Sequence, residues 1–259
     1  ARFRAIGLGT DRDRSTTLLT KQHLPSDGSI CPPTAARAVQ VISDACRSLR
    51  NRPGLRRGSA PCANMLDLLR PPELAAVMRI LVLGGTAWLG RTVAQEAVAR
   101  GHDVTCAARG SAAPPRGVAF VVVDRDHEHG LAPLAGATWD AVVDVSRQPG
   151  QVRRAVRDLD TAHWVFVSTG NVYARFAAIE QPEDSPRREP LTGDVMADME
   201  TYGEAKVACE DAVTASAATA TIVRSGLIGG PGDVSGRTGY WPWRFAHPVA
   251  AAAVGPAEV

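Results

Sequence analysis

The sequence predicts an α/β fold built on a doubly wound parallel sheet, and three observations carry that expectation. From residue 78 onward, apolar runs short enough for buried strands alternate with segments of helical periodicity. The first run opens directly into a glycine-rich turn and an amphipathic helix. At 259 residues and 45% hydrophobic content, the chain can bury a substantial core.

The organising stretch is Met78 to Gly110, MRILVLGGTAWLGRTVAQEAVARGHDVTCAARG. Ile80 to Leu83 read as a strand buried on both faces. The turn Gly84-Gly-Thr-Ala-Trp-Leu-Gly90 follows, then Leu89, Val93 and Ala97 recur at helical spacing. Gly101 stops that helix, and Val104 to Ala108 supply the next strand. Glycines at Gly84 and Gly90, with Ala87 in the middle position, let backbone N–H groups approach a pyrophosphate and let the helix pack on its strand. The helix start adds a partial positive charge. Gly84, Thr86, Ala87, Trp88, Leu89 and Gly90 are therefore expected to hold a dinucleotide in a Rossmann-type fold.

The formal net charge of +2 names no partner, but it hides an asymmetry. Residues 1–77 carry 12 Lys/Arg against 6 Asp/Glu, whereas 78–259 carry 17 against 21. The five cysteines, Cys31, Cys46, Cys62, Cys106 and Cys209, form no CxxC and no metal-ligand spacing, which fits a reduced, cytoplasmic setting. No apolar run approaches the roughly 18 residues of a membrane span.

Residues 1–77 are expected to be a poorly ordered basic extension, with one helix capped by Thr34 and running through Val39, Ile42, Cys46 and Leu49. No nucleic-acid motif or interleaved aromatics accompany its charge, so nucleic acid is not an expected partner. Arg109, after the second strand, stands where an acidic residue would hold a ribose 2′-hydroxyl and a basic one suits a 2′-phosphate, so NADP is preferred over NAD. Val118 to Val123 is a third strand, and Asp124 after it serves either the adenine amino group or its own loop. Trp139 to Val145 is a fourth strand, with helical spacing from Val152 to Leu159. His163 to Val167 is the fifth, running into Ser168-Thr-Gly-Asn-Val-Tyr173. Residues 181–198 read as a long loop over the site, followed by a helix from about Thr201 to Ala215 and a sixth strand at Ala220 to Val223. Arg224 to Val259 is Gly/Pro-rich and expected to be irregular.

Tyr202 and Lys206 stand four residues apart, on one face of the predicted helix. A tyrosine with a pKa of about 10 is a poor base at neutral pH. Bringing it to about 7 takes about 4 kcal/mol, which one cation about 4 Å away supplies at an effective dielectric of about 20. Tyr202 is thus the expected acid/base and Lys206 its activator and a ribose ligand. Thr169 is placed to hold the substrate oxygen while hydride passes to or from the nicotinamide.

Together these residues resemble the extended branch of the short-chain dehydrogenase/reductase superfamily, the NAD-dependent epimerase/dehydratase family. Gly84 to Gly90 look like its glycine motif with Ala87 as a departure, Phe166 to Tyr173 match its strand-end segment, and Tyr202 and Lys206 match its active-site pair. The resemblance runs from Met78 to about Asp233, giving a domain at 78–233. It implies a C-terminal substrate domain, of which 234–259 would be a remnant. In that family, 4,6-dehydratases carry an Asp-Glu pair where this chain has Gly170 and Asn171, so epimerisation or carbonyl reduction is expected instead. The resemblance also implies that the loop Gly229 to Asp233 approaches the nicotinamide.

Asn171, Arg237, Tyr240, Trp241 and Arg244 are candidate substrate contacts, since arginine forks onto phosphate and aromatics stack on a base or sugar. The expected function is an NAD(P)-dependent oxidoreductase or epimerase acting on an alcohol or carbonyl of a small molecule such as a nucleotide sugar. The alternative is a non-catalytic NAD(P)-binding sensor. The other expected partner is a second copy of the chain; no metal or membrane is anticipated.

Overall fold

The computed structural model describes residues 6–8, 16–20, 77–176 and 181–246. The expected helix from Thr34 to Leu49 lies outside them. Ten strands and four α-helices are described. Strands β1 (Ile6–Leu8) and β2 (Thr16–Thr20) fall within the stretch expected to carry little order. The main α/β unit then runs β3 (Arg79–Leu83), α1 (Trp88–Ala99), β4 (Asp103–Ala108) and β5 (Ala119–Val122). It continues with β6 (Thr138–Trp139), β7 (Ala141–Asp144), α2 (Pro149–Asp158), β8 (Asp160–Thr161) and β9 (His163–Thr169). Helix α3 (Tyr202–Thr214), β10 (Thr219–Ser225) and α4 (Arg237–Ala246) complete it.

The main sheet has the order β1-β2-β10-β9-β7-β3-β4-β5. Every pairing from β2 through β5 is parallel, and only β1 joins antiparallel. The chain builds outward from β3 to β4 and β5, then crosses back to place β7, β9 and β10 on the other side. This reversal between β3 and β7 opens a crevice at the carboxyl ends of the strands, where ligands of doubly wound sheets bind.

Period-two alternation explains the two cores. Ile80 and Val82 pack with Val143 and Val165 against Val93, Ala94 and Ala97 of α1. Leu81 and Leu83 face the opposite way, into a cluster with Trp164, Phe166, Val152 of α2 and Cys209 and Val213 of α3. Both faces of β3 are thereby covered, as its continuous apolar run requires.

Two boundaries differ from expectation. The single strand expected over Trp139 to Val145 is divided, because Asp140 turns its carboxylate onto the Arg79 amide at 2.7 Å. Thr138–Trp139 pairs instead with Asp160–Thr161 in a small separate sheet. The segment after β10 was expected to be irregular but contains α4, a helix whose Gly, Pro and aromatic content gives little periodic signal. Among the described residues no helix is long and apolar enough to cross a membrane, and no cluster of metal-ligating side chains occurs.

Candidate functional site

The glycine turn is shaped by backbone contacts that admit no side chain. Gly84 adopts φ +84°, the left-handed region. A Cβ on Gly90 would meet the Gly84 carbonyl oxygen well inside van der Waals contact and lie 2.9 Å from its carbon. Because that overlap is with main chain, Gly90→Ala is expected to push α1 off the sheet. A loss of about 1–3 kcal/mol in thermal melting is the expected result. Ala87 precedes α1 with φ −79°, a conformation that needs no glycine, so the departure at this position imposes no strain.

Helix α1 begins without a side-chain cap and without an acidic residue in its first turn. Its first amides therefore remain available to an anion at the positive end of the helix dipole. The turn that leads into α1 borders a cleft of about 220 Å³ at the sheet reversal. Gly84, Thr86, Ala87 and Arg109 line it. Ser111, Arg125, Ser146 and Gln151 line it too, and these the sequence did not single out.

Trp88 and Leu89, which follow in the motif, also make contacts within the protein. Trp88 donates its indole N–H to the Pro231 carbonyl at 2.9 Å, fastening the loop after β10 over the start of α1. Leu89 packs toward the α1 core. Asp124 serves its own loop, accepting the Asp126 amide at 3.0 Å and lying 3.6 Å from His127. The neighbouring Arg125 is the residue that reaches the cleft wall.

Thr169, Tyr202 and Lys206 gather at the same end of the sheet. Thr169 ends β9, and its hydroxyl oxygen accepts the Asn171 amide at 3.2 Å. The turn 170–172 abuts the first turn of α3 at Gly203, where a Cβ would collide with the Asn171 carbonyl and lie 2.7 Å from Arg188 Cδ. This glycine, directly after Tyr202, is what lets α3 start against the end of β9.

Lys206 is buried and donates to the carbonyls of Ser146 and Val167, both at 2.6 Å, with its ammonium 4.2 Å from the Phe166 ring centroid. An ammonium has three donors, so one remains for a ligand or a phenol. Burial pulls its pKa down to about 8, with Cys209, Asp144 and Glu210 acting in the opposite sense.

The sequence also missed a buried network behind α3. Glu210 accepts Ser168 Oγ at 2.6 Å and Arg224 Nη2 at 2.7 Å, and Arg187 reaches it from the long loop at 3.1 Å. Both free cysteines among the described residues, Cys106 and Cys209, are buried, and burial pushes their thiols up to about 11 and 12. Neither is a thiolate nucleophile at neutral pH.

Of the candidate substrate residues, Asn171 is exposed beside Thr169, and Tyr240 and Arg244 lie on α4. The side chains of Arg237 and Trp241 lie outside the described residues.

No family model matches the chain, and no curated protein matches it in sequence. Comparison of structures finds the WbmG enzyme of Bordetella bronchiseptica, solved with NAD, at a TM-score of 0.51 and 19% identity. The match covers 68% of this chain and 61% of WbmG. This is a Rossmann-type fold. WbmH of the same organism, solved with NAD+, shares it at a TM-score of 0.51 and 20% identity, over 66% of this chain and 62% of WbmH. The Rossmann chain thus spans about three-fifths of the length of these neighbours.

Proposed function

We propose that the chain is an NAD(P)-dependent enzyme of the extended short-chain dehydrogenase/reductase type, belonging to the epimerase/dehydratase family. Its substrate is an alcohol or carbonyl of a small molecule, with a nucleotide sugar as the first class to test. What supports this reading is an uncapped helix start at the sheet reversal, together with Thr169 at the end of β9, Tyr202 opening α3 and Lys206 bonded to the Val167 carbonyl. WbmG and WbmH, which share the fold, were both solved with NAD.

The residues present would suit a dinucleotide: the amides from Gly84 to the first turn of α1 would receive its diphosphate, and Arg109 and Ser111 would serve the adenosine ribose. When bound it supplies a hydride acceptor or donor. Tyr202 takes or returns the hydroxyl proton of the substrate. Thr169 donates its hydroxyl hydrogen to the same oxygen, while its own oxygen accepts the Asn171 amide. Lys206 stabilises the phenolate and uses its remaining N–H toward the nicotinamide ribose.

Arg109 makes the cofactor choice testable. NADPH is expected to bind more tightly than NADH in fluorescence titrations, and Arg109→Asp should reduce NADPH affinity by about tenfold or more through lost charge pairing. Equal affinity for the two in the unmodified chain removes the NADP preference and leaves NAD.

A non-catalytic NAD(P)-binding role is the second reading. The observation favouring it is that two of the three Lys206 donors are already taken by main-chain carbonyls. Turnover with nucleotide sugars or alcohols separates the two.

A further inference from the structure

The segment following β7 carries a line of short contacts from the nucleotide cleft to the catalytic end. Arg125, on the cleft wall, meets Asp144 with two parallel hydrogen bonds, Nη1 to Oδ1 at 3.0 Å and Nη2 to Oδ2 at 2.6 Å. Asp144 is 0% exposed and Arg125 7%. Asp144 Oδ1 also accepts the Ser146 amide at 2.8 Å, and the carbonyl of that same Ser146 receives Lys206 Nζ. A buried ion pair is seldom a gain over apolar packing, so its effect is better sought in what it holds in place.

We infer that Asp144 is a positioning residue for Lys206: pinned by Arg125 from the cleft side, it holds the N–H of Ser146, whose carbonyl, on the following peptide, accepts from the lysine ammonium. Neither residue touches the reacting groups. The inference rests on the proposed role of Lys206 in activating Tyr202.

The groups that act on the Lys206 charge are Cys209 and Glu210 from α3, Asp144 from β7 and Arg147 from the loop after it. From β9 it meets the Phe166 ring and the Val167 carbonyl. Lys206 and Lys21 are the only lysines in the chain. Carbon-13 labelling at lysine Cε therefore gives two NMR signals, and Lys21→Arg leaves one.

Titrated without cofactor or substrate, Lys206 is expected to have its midpoint at about 8. Asp144→Asn removes a negative charge and should lower that midpoint. Arg125→Gln leaves Asp144 without its counter-charge and should raise it, each by about one pH unit. Shifts of opposite sign in the folded variants support the inference. No shift in either, or shifts of the same sign, overturns it. Because Asp144 also acts on the ammonium directly through its charge, the low-pH limiting shift of Lys206 Cε, where every variant is protonated, must move as well; a limiting shift unchanged in both variants overturns the positioning role.

Should a single variant fail to fold, the double Arg125→Gln/Asp144→Asn leaves no lone buried charge and is expected to titrate below the unmodified chain. An unchanged midpoint in that double overturns the inference. If the unmodified chain binds neither NADH nor NADPH, the proposed function falls, while the lysine titration still decides the positioning role.

Discussion

Tyr202→Phe is expected to bind the dinucleotide with unchanged affinity and to lose turnover by about 10²–10⁴-fold, the usual contribution of a positioned acid/base. The phenyl ring retains the volume at the start of α3, so the first turn and its contact at Gly203 should persist. Measuring NADH or NADPH binding and turnover on the same preparation checks both halves. Turnover equal to that of the unmodified chain would remove Tyr202 from the chemistry, whatever its position. Loss of binding as well as turnover would place the residue in the cofactor site.

Glu210→Ala should have the largest effect on stability. Glu210 is 1% exposed and the Arg224 guanidinium grips it from β10 through both carboxylate oxygens. Truncation strands Arg224 as a lone buried cation and deprives Ser168 of its acceptor. Breaking a buried pair from one side costs about 3–5 kcal/mol, which for a domain of this size corresponds to a fall in Tm on the order of 10 °C. Denaturant and thermal unfolding measure it. Glu210→Gln/Arg224→Met, which removes both charges, is expected to recover much of the loss; a double variant as unstable as Glu210→Ala would show that packing rather than charge sets the cost.

The frame of this molecule was legible because its local signals agree. Ile80 to Leu83, bounded by charge and glycine, could only be a covered strand, and Tyr202 to Thr214 form a helix within a residue of the spacing that predicts it. Periodicity fails where a single side chain intervenes. Asp140 looks like a polar interruption in an apolar run, yet its bond to the Arg79 amide ends one strand and begins another.

At the site, the pattern gave the positions of Tyr202 and Lys206 but not the two carbonyls that hold the ammonium, because those partners lie 60 and 39 residues away in sequence. Arg125 was overlooked for a related reason. Beside Asp124 at a strand end it reads as a solvated charge, and only the crossing from β5 to β7 brings Asp144 within reach. Glu210 and Arg224 are likewise 14 residues apart on different elements, with nothing in their local sequence to pair them.

The sheet finishes on one side at β5, four residues long, with Val122 61% exposed. Bare strand borders invite a second chain to continue the ladder, the first step toward ordered aggregates. Here the invitation is brief: Pro114, Pro115 and Arg116 precede the strand, and the Asp124 loop turns the chain away after it. At this edge, strand addition therefore has only a short patch to pair with. Lengthening it, for instance by replacing the two prolines with β-branched residues, would remove that safeguard.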